Sequence, residues 1–358
     1  MRENNRRPTR PVFLGKTQIG GGAPVSVQSM TNTDTRDVGK TVAQIHRLER
    51  EGCEIVRVAV PDDEAAAAIR RIRERIHIPL IADIHFQHRL ALQAIDAGVE
   101  GIRINPGNMK KSAFPDVVRA ARERGTVIRI GVNAGSLERE MLKKYGGPTA
   151  AALVESALAH IRLCEDLDFD RLKISLKSSD VPTMITAYRR LSEQVDYPLH
   201  LGVTEAGTPM SAAIKSSLGI GALLLEGIGD TVRVSVTGDP VRELPIAFGI
   251  LRALKIRLVG PEIISCPTCG RCEIDLPRLV RIVERSLHKE RTYLKVAVMG
   301  CVVNGPGEAA EADVGIAGGR GAGMLFRRGK IVRKVKEADF ATELMAEIRT
   351  IIKEKKEA

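Results

Sequence analysis

The sequence predicts an α/β fold: a TIM-type (β/α)8 barrel over residues 1–258, followed by a smaller α+β domain over residues 259–358. Three observations predict it. Short β-rich runs recur eight times before residue 241, with helix-like segments between most of them. The apolar residues are aliphatic, with no Trp and only 3% aromatics, which suits parallel strands buried on both faces. Beyond residue 258 the alternation stops and cysteines cluster.

The eight runs are VSVQSM (25–30), EIVRVAV (54–60), PLIADIHF (79–86), GIRINPGN (101–108), VIRIGVNAG (127–135), LKISLKSSD (172–180), LHLGVTEAG (199–207) and VRVSVTGDP (232–240). Apolar residues recur at helical spacing between them, as in TVAQIHRLEREG, DDEAAAAIRRIRERI, AALVESALAHIRLCEDL and PTMITAYRRLSEQV. A doubly wound open sheet is the alternative. It would carry a Gly-rich phosphate turn after its first strand, and VQSMTNTDT is not one. IGGG (19–22) reads as a hairpin turn. GIAGGRGAG (315–323) opens no helix and reads as a tight turn between strands rather than a nucleotide loop.

Four strand modules each carry a cation in or just after an apolar run: Arg57, Arg103, Arg129 and Lys177. A buried cation is expensive unless it is paired. Structural ion pairs explain any one of them. Four together at a barrel mouth point to an anion site, and arginine forks match phosphate oxygens in pairs. Several converging cations favour a diphosphate over a carboxylate. Asp83, His85, Asn105, Asn133, Glu205 and Ser235 have similar strand-end positions, where barrel enzymes keep their active sites. Glu205 follows an apolar strand and precedes a Gly turn, which makes it the best acid–base candidate; a salt-bridged or capping Glu is the plainer reading. The remaining histidines, His46 and His77 among them, show no ligand spacing and read as structural.

The formal charge is +11. Scarce aromatics and the lack of an RNA-binding signature argue against nucleic acid as a partner. No segment approaches the ~20 apolar residues of a membrane helix. The N-terminal MRENNRRPTR precedes no apolar stretch, so no secretory signal is expected. A reducing cytoplasm is the expected compartment, where six cysteines signify metal or catalysis more than disulfides.

The second domain opens with SCPTCGRC (265–272). A helix-like DLPRLVRIVERSLHKE follows, then a strand LKVAVMG, the loop CVVNGPGE, further strands around ADVGIAG and GMLFRRGKIVRKV, and a closing helix. A zinc knuckle usually has a paired second knuckle, and none is present. Spacing therefore favours an iron–sulfur cluster over zinc, with Cys266 and Cys269 as ligands and Cys272 and Cys301 competing for the third place. A redox dithiol at CGRC lacks its usual strand–helix setting.

SCPTCGRC, MGCVVNGPGE, RVAV, ADIHF, GIRINPGN, SLKSSD and VTEAG together resemble the bacterial 4-hydroxy-3-methylbut-2-en-1-yl diphosphate synthase family. The resemblance runs over essentially the whole chain, and MGCVVNGPGE is its most specific part. It implies a TIM barrel followed by a 4Fe-4S domain. The implied reaction is reductive ring opening and dehydration of 2-C-methyl-D-erythritol 2,4-cyclodiphosphate to (E)-4-hydroxy-3-methylbut-2-enyl diphosphate, in isoprenoid precursor biosynthesis. Electrons would come singly from flavodoxin or ferredoxin.

Residue by residue, the resemblance implies Cys266, Cys269, Cys301 and Glu308 as cluster ligands. Cys272 departs from the family pattern and is expected to be a bystander. Arg57, Arg103, Arg129, Lys177 and Ser235 would hold the diphosphate, with Asp83, His85, Asn105 and Asn133 lining the pocket. Glu205 would donate a proton, and Asn304 would approach the substrate from the cluster side. The resemblance also implies a homodimer, with the cluster domain of one chain capping the barrel of the other.

Overall fold

The computed structural model describes residues 6–105, 109, 111–301, 307 and 311–357. The chain divides into two compact units, Met1–Arg257 and Leu258–Ala358. Among the described residues no helix is long and apolar enough to cross a membrane.

The first unit begins with a hairpin, β1 (Val12–Leu14) against β2 (Thr17–Ile19). Eight parallel strands follow: β3 (Ser26–Met30), β4 (Ile55–Ala59), β5 (Leu80–Asp83), β6 (Gly101–Ile104), β7 (Val127–Asn133), β8 (Leu172–Lys177), β9 (His200–Leu201) and β10 (Thr231–Val232). Neighbours pair in sequence from β3 to β8, and β10 lies between β9 and β3. A bridge between Ile174 and Leu199 joins β8 to the start of the β9 segment and closes the ring. Helices α1 (Val38–Arg50), α2 (Asp63–Arg73) and α3 (His88–Asp96) separate the early strands, and each presents an apolar face to the barrel wall. Asp37 and Asp62 cap the first two by accepting from Lys40 and Ala65 backbone N–H groups.

The hairpin plugs the N-terminal end of the barrel. Val12, Leu14 and Ile19 pack on Ile55, Ile81 and Val127, the lowest inward residues of their strands. The hairpin turns at Gly15 and Lys16, so IGGG is not its turn. Gly20, Gly21 and Gly22 instead lead the chain out of β2, all at positive φ. A Cβ on Gly20 would fall 2.6 Å from the Arg10 carbonyl oxygen, so this exit admits only glycine.

The second unit is a five-stranded sheet in chain order: β11 (Glu262–Ser265), β12 (Lys295–Met299), β13 (Val314–Gly319), β14 (Ala322–Arg327) and β15 (Lys330–Lys336). The first three strands are parallel and the last two antiparallel. The helix Leu276–Leu287 and the closing helix Phe340–Glu357 cover one face, where Leu279, Val283, Leu344 and Ile348 meet Val296, Val298 and Ile316. GIAGGRGAG is a tight β-turn between β13 and β14, with Gly321 at φ +68°.

Candidate active site

Strand alternation points one residue in two into the barrel. The inward positions that face the hairpin, Ile55, Ile81 and Val127, are apolar. Higher up they are charged. Arg57, Asp83, Arg103, Arg129 and Lys177 are all buried there. Asp83 serves two arginines, 3.7 Å from Arg57 Nε and 3.3 Å from Arg103 Nη1. Arg103 also donates to the Gly131 carbonyl at 3.2 Å. The Asn133 amide, turned with its oxygen inward, accepts from Arg103 Nη2 at 3.0 Å. Two glycines make room for these side chains. A Cβ on Gly131 would strike Arg103 Nε, and one on Gly202 would lie 2.6 Å from Lys177 Nζ.

Arg129 and Lys177 have no carboxylate partner among the described residues. Burial holds both well below their ordinary ranges, and the neighbouring cations push the same way. Arg57 is pushed down to about 10 by burial, partly offset by Asp83. Asp83 is held below the carboxylate range: burial opposes this, but Arg57, His85 and Arg103 outweigh it. The ion-pair reading therefore accounts for Arg57 and Arg103 and leaves Arg129 and Lys177 unexplained.

Arg129, the third residue of β7, pairs in register with Arg103 on β6. Its register partner on β8 is Lys173, which is fully buried with an unpartnered Nζ. Sequence reading passed over Lys173 and Arg233 and took His200 as structural. Lys173 and Lys177 stand four apart in LKISLK and therefore share a face. Arg233 lies in the same Val-Arg-Val setting as Arg57, and donates to the buried Glu243 at 2.8 Å. Glu243 in turn accepts from Ser29 Oγ at 2.7 Å. His200 is buried among Arg129, Lys177 and Lys173, and burial with these charges keeps it well below the usual histidine range.

The remaining candidates lie around this layer. His85 is exposed, 3.7 Å from Asp83. Asn105 is buried and donates to the Ser136 carbonyl at 3.3 Å. Ser235 is half-buried in the segment after β10. Glu205 is exposed and holds a left-handed backbone at φ +51°, unusual for a residue with a side chain. Its neighbours fix it: Thr204 N–H donates to Ser178, Ser211 Oγ donates to the Ala206 carbonyl at 2.7 Å, and Thr237 N–H donates to Gly207. Strain held by its surroundings in this way clusters at functional positions.

In the second unit, Cys266 and Cys301 follow the C-terminal ends of the adjacent parallel strands β11 and β12. The Gly300 N–H donates to Cys266 Sγ at 3.3 Å. Cys269 is exposed, and none of the three cysteines is in a disulfide. The Cys272 thiol donates to the Ile274 carbonyl at 3.3 Å, and it packs against Gly300, where a Cβ would come within 2.5 Å of its sulfur. Two strand-end thiols with a third on an open loop fit a metal–sulfur group, whereas Cys272 is engaged in packing. Glu308 and Asn304 lie outside the described residues.

A model of the GcpE TIM-barrel domain matches residues 9–248, and one of the GcpE protein C-terminal domain matches residues 262–350. The chain belongs to the GcpE family. Two GcpE relatives bear the name 4-hydroxy-3-methylbut-2-en-1-yl diphosphate synthase (flavodoxin). The one from Geobacter sulfurreducens is 59% identical, covering 97% of this chain and 99% of its own. The one from Brevibacillus brevis is 57% identical and covers 98% of each. Among solved structures, a dihydropteroate synthase of Yersinia pestis matches with a TM-score of 0.50 at 13% identity, over 69% of this chain and 99% of that one. That likeness is one of barrel fold alone.

Proposed function

We infer that the chain is a 4-hydroxy-3-methylbut-2-en-1-yl diphosphate synthase, an oxidoreductase. It converts 2-C-methyl-D-erythritol 2,4-cyclodiphosphate to (E)-4-hydroxy-3-methylbut-2-enyl diphosphate by opening the ring with two electrons and releasing water. The observation that carries this reading is the buried interior layer of Arg57, Arg103, Arg129 and Lys177 facing one carboxylate, Asp83. Such an excess of positive charge, sheltered from water, suits a cyclic diphosphate.

In this reading Arg57 and Arg103, spaced by Asp83, grip phosphate oxygens, while Arg129 and Lys177 supply charge that only the substrate neutralises. Asn133 and Asn105 orient the polyol, His85 and Ser235 bound the pocket at its rim, and Glu205 protonates the departing oxygen. Cys266, Cys269, Cys301 and Glu308 would hold a 4Fe-4S cluster, with Asn304 nearby. Such a cluster supplies single electrons and, at its carboxylate-ligated iron, a Lewis acid. The donor would be flavodoxin or ferredoxin. We extend the proposal to a cytoplasmic homodimer, in which the cluster unit of one chain serves the barrel of another.

The test is turnover. Anaerobically purified chain, reduced flavodoxin and the cyclic diphosphate should give the linear diphosphate by mass spectrometry. A chain with full iron and sulfide content that yields no product refutes the reading.

A further inference from the structure

The outer wall of the barrel carries a group that the reaction does not use. His46 and Glu49 stand one turn apart on α1, and His77 approaches them from the segment between α2 and β5. One ligand atom from each lies within 4.8 Å of the other two. Among the described residues this is the one group of three or more such side chains gathered so closely.

Each member is oriented. His46 Nε2 lies 2.8 Å from the Arg75 carbonyl and so donates to it, which leaves Nδ1 as the ring's lone pair. Metal-binding histidines are typically held by such a bond from the other ring nitrogen. Glu49 Oε1 accepts the backbone N–H of His77 at 2.7 Å and of Ile78 at 3.3 Å. Its Oε2 lies 3.2 Å from His77 Nδ1, so Nδ1 is the ring nitrogen that faces the carboxylate. The two rings are stacked, with centroids 5.8 Å apart. Burial alone would raise the Glu49 carboxyl, but the bonds from His77 and Ile78 outweigh it and keep the group below its ordinary value. Glu49 is mostly buried while His77 is 83% exposed, so the trio has a fixed base and an open side.

We propose that His46, Glu49 and His77 form a binding site for a divalent transition-metal ion of the zinc class. Two imidazoles and a carboxylate are a zinc ligand set, with water filling the fourth position on the open side. Both the last turn of α1 and the segment entering β5 lie at the N-terminal end of the strands. That is the end of such barrels associated with stability rather than chemistry. A bound ion would therefore staple α1 to the entrance of β5 and leave turnover untouched.

The experiment uses the iron–sulfur-loaded enzyme, so that its cysteines are occupied, under anaerobic conditions. Zn2+ is titrated by calorimetry into wild type, H46A and H77A; Co2+ is followed by its visible spectrum. The expected result is one equivalent of Zn2+ in wild type, at least a tenfold weaker affinity in each variant, and Co2+ bands without thiolate charge transfer. Zn2+ should raise the melting temperature of wild type and not of H77A. His77 is exposed, so H77A is expected to fold. No uptake by wild type, equal uptake by the variants, or a thiolate spectrum would overturn the proposal.

Discussion

Arg129 and Lys173 stand side by side as register partners on β7 and β8, 1% and 0% exposed, and Arg129 Nε and Nη1 and Lys173 Nζ find no hydrogen-bond partner among the described residues. Two adjacent buried basic groups with no ion pair among the described residues make the free barrel less stable than an apolar one would be. The arrangement makes sense if an anion completes it.

Arg129→Met should therefore separate stability from binding. Removing an uncompensated buried ion is expected to stabilise the free enzyme by about 1–4 kcal/mol. Substrate affinity should fall by about 2–5 kcal/mol, as for a buried charge contact that has lost one partner. Thermal melting and calorimetric titration with the cyclic diphosphate check the two halves independently.

Lys177 sets the pH dependence. Burial first, then Arg129, Arg233, Arg57 and Arg103, hold it well below the ordinary lysine value; Asp83 is the carboxylate of the same layer. Between its folded value and the unfolded value of about 10.4, the unfolded chain binds the extra proton. Free-enzyme stability should therefore rise with pH across that window. A bound dianion reverses the balance, so substrate binding takes up protons there. Titrations in buffers of different ionisation enthalpy should show uptake in wild type and less of it in Lys177→Met.

Asp83 behaves oppositely. Its depressed value means that its contribution is present above the unfolded value of about 3.9 and is lost only as pH falls through the folded one. Asp83→Asn leaves Arg57 and Arg103 without their carboxylate and should cost about 3–5 kcal/mol of stability. Chemical denaturation at neutral pH measures it.

Glu205 offers two informative replacements. Glu205→Gln should lower turnover by about 10²-fold or more while iron content stays unchanged. Glu205→Gly should do the same and also stabilise the fold by roughly 1 kcal/mol, because φ +51° suits glycine. Near-normal turnover in either variant contradicts the proton-donor role.

Cys272 and Gly300 test the cluster ligands. Cys272→Ala should keep full iron and sulfide, since its thiol serves the Ile274 carbonyl. Cys266→Ser should lose the cluster. Gly300→Ala drives a methyl into Cys272 and should lower cluster content, with rescue by Cys272→Ala in the double variant.

Much of this was legible in the sequence because charge inside an apolar run is conspicuous. Arg57, Arg103 and Lys177 each put a charge inside or just after an apolar run, and the structure buries all three. Lys173 was missed because it sits near the start of its run and resembles a solvated strand end. Nothing local distinguishes it until β7 puts Arg129 alongside. Arg233 was hidden by Ser235, two residues on in the same segment. The ring order was legible from alternation, but β9 and β10 form ladders of only two residues each, too short for any periodicity to mark. The strain at Glu205 is a backbone property, which its side chain does not announce.

The central claim is that this chain pairs a diphosphate-binding barrel with an iron–sulfur group held by Cys266, Cys269, Cys301 and Glu308. The most direct test is an iron and sulfide count, with an absorption spectrum, on chain purified without oxygen. About four iron and four sulfide per chain, with broad absorption near roughly 400 nm that disappears in Cys266→Ser, is the predicted result. Protein never exposed to air that holds neither iron nor sulfide would contradict the claim.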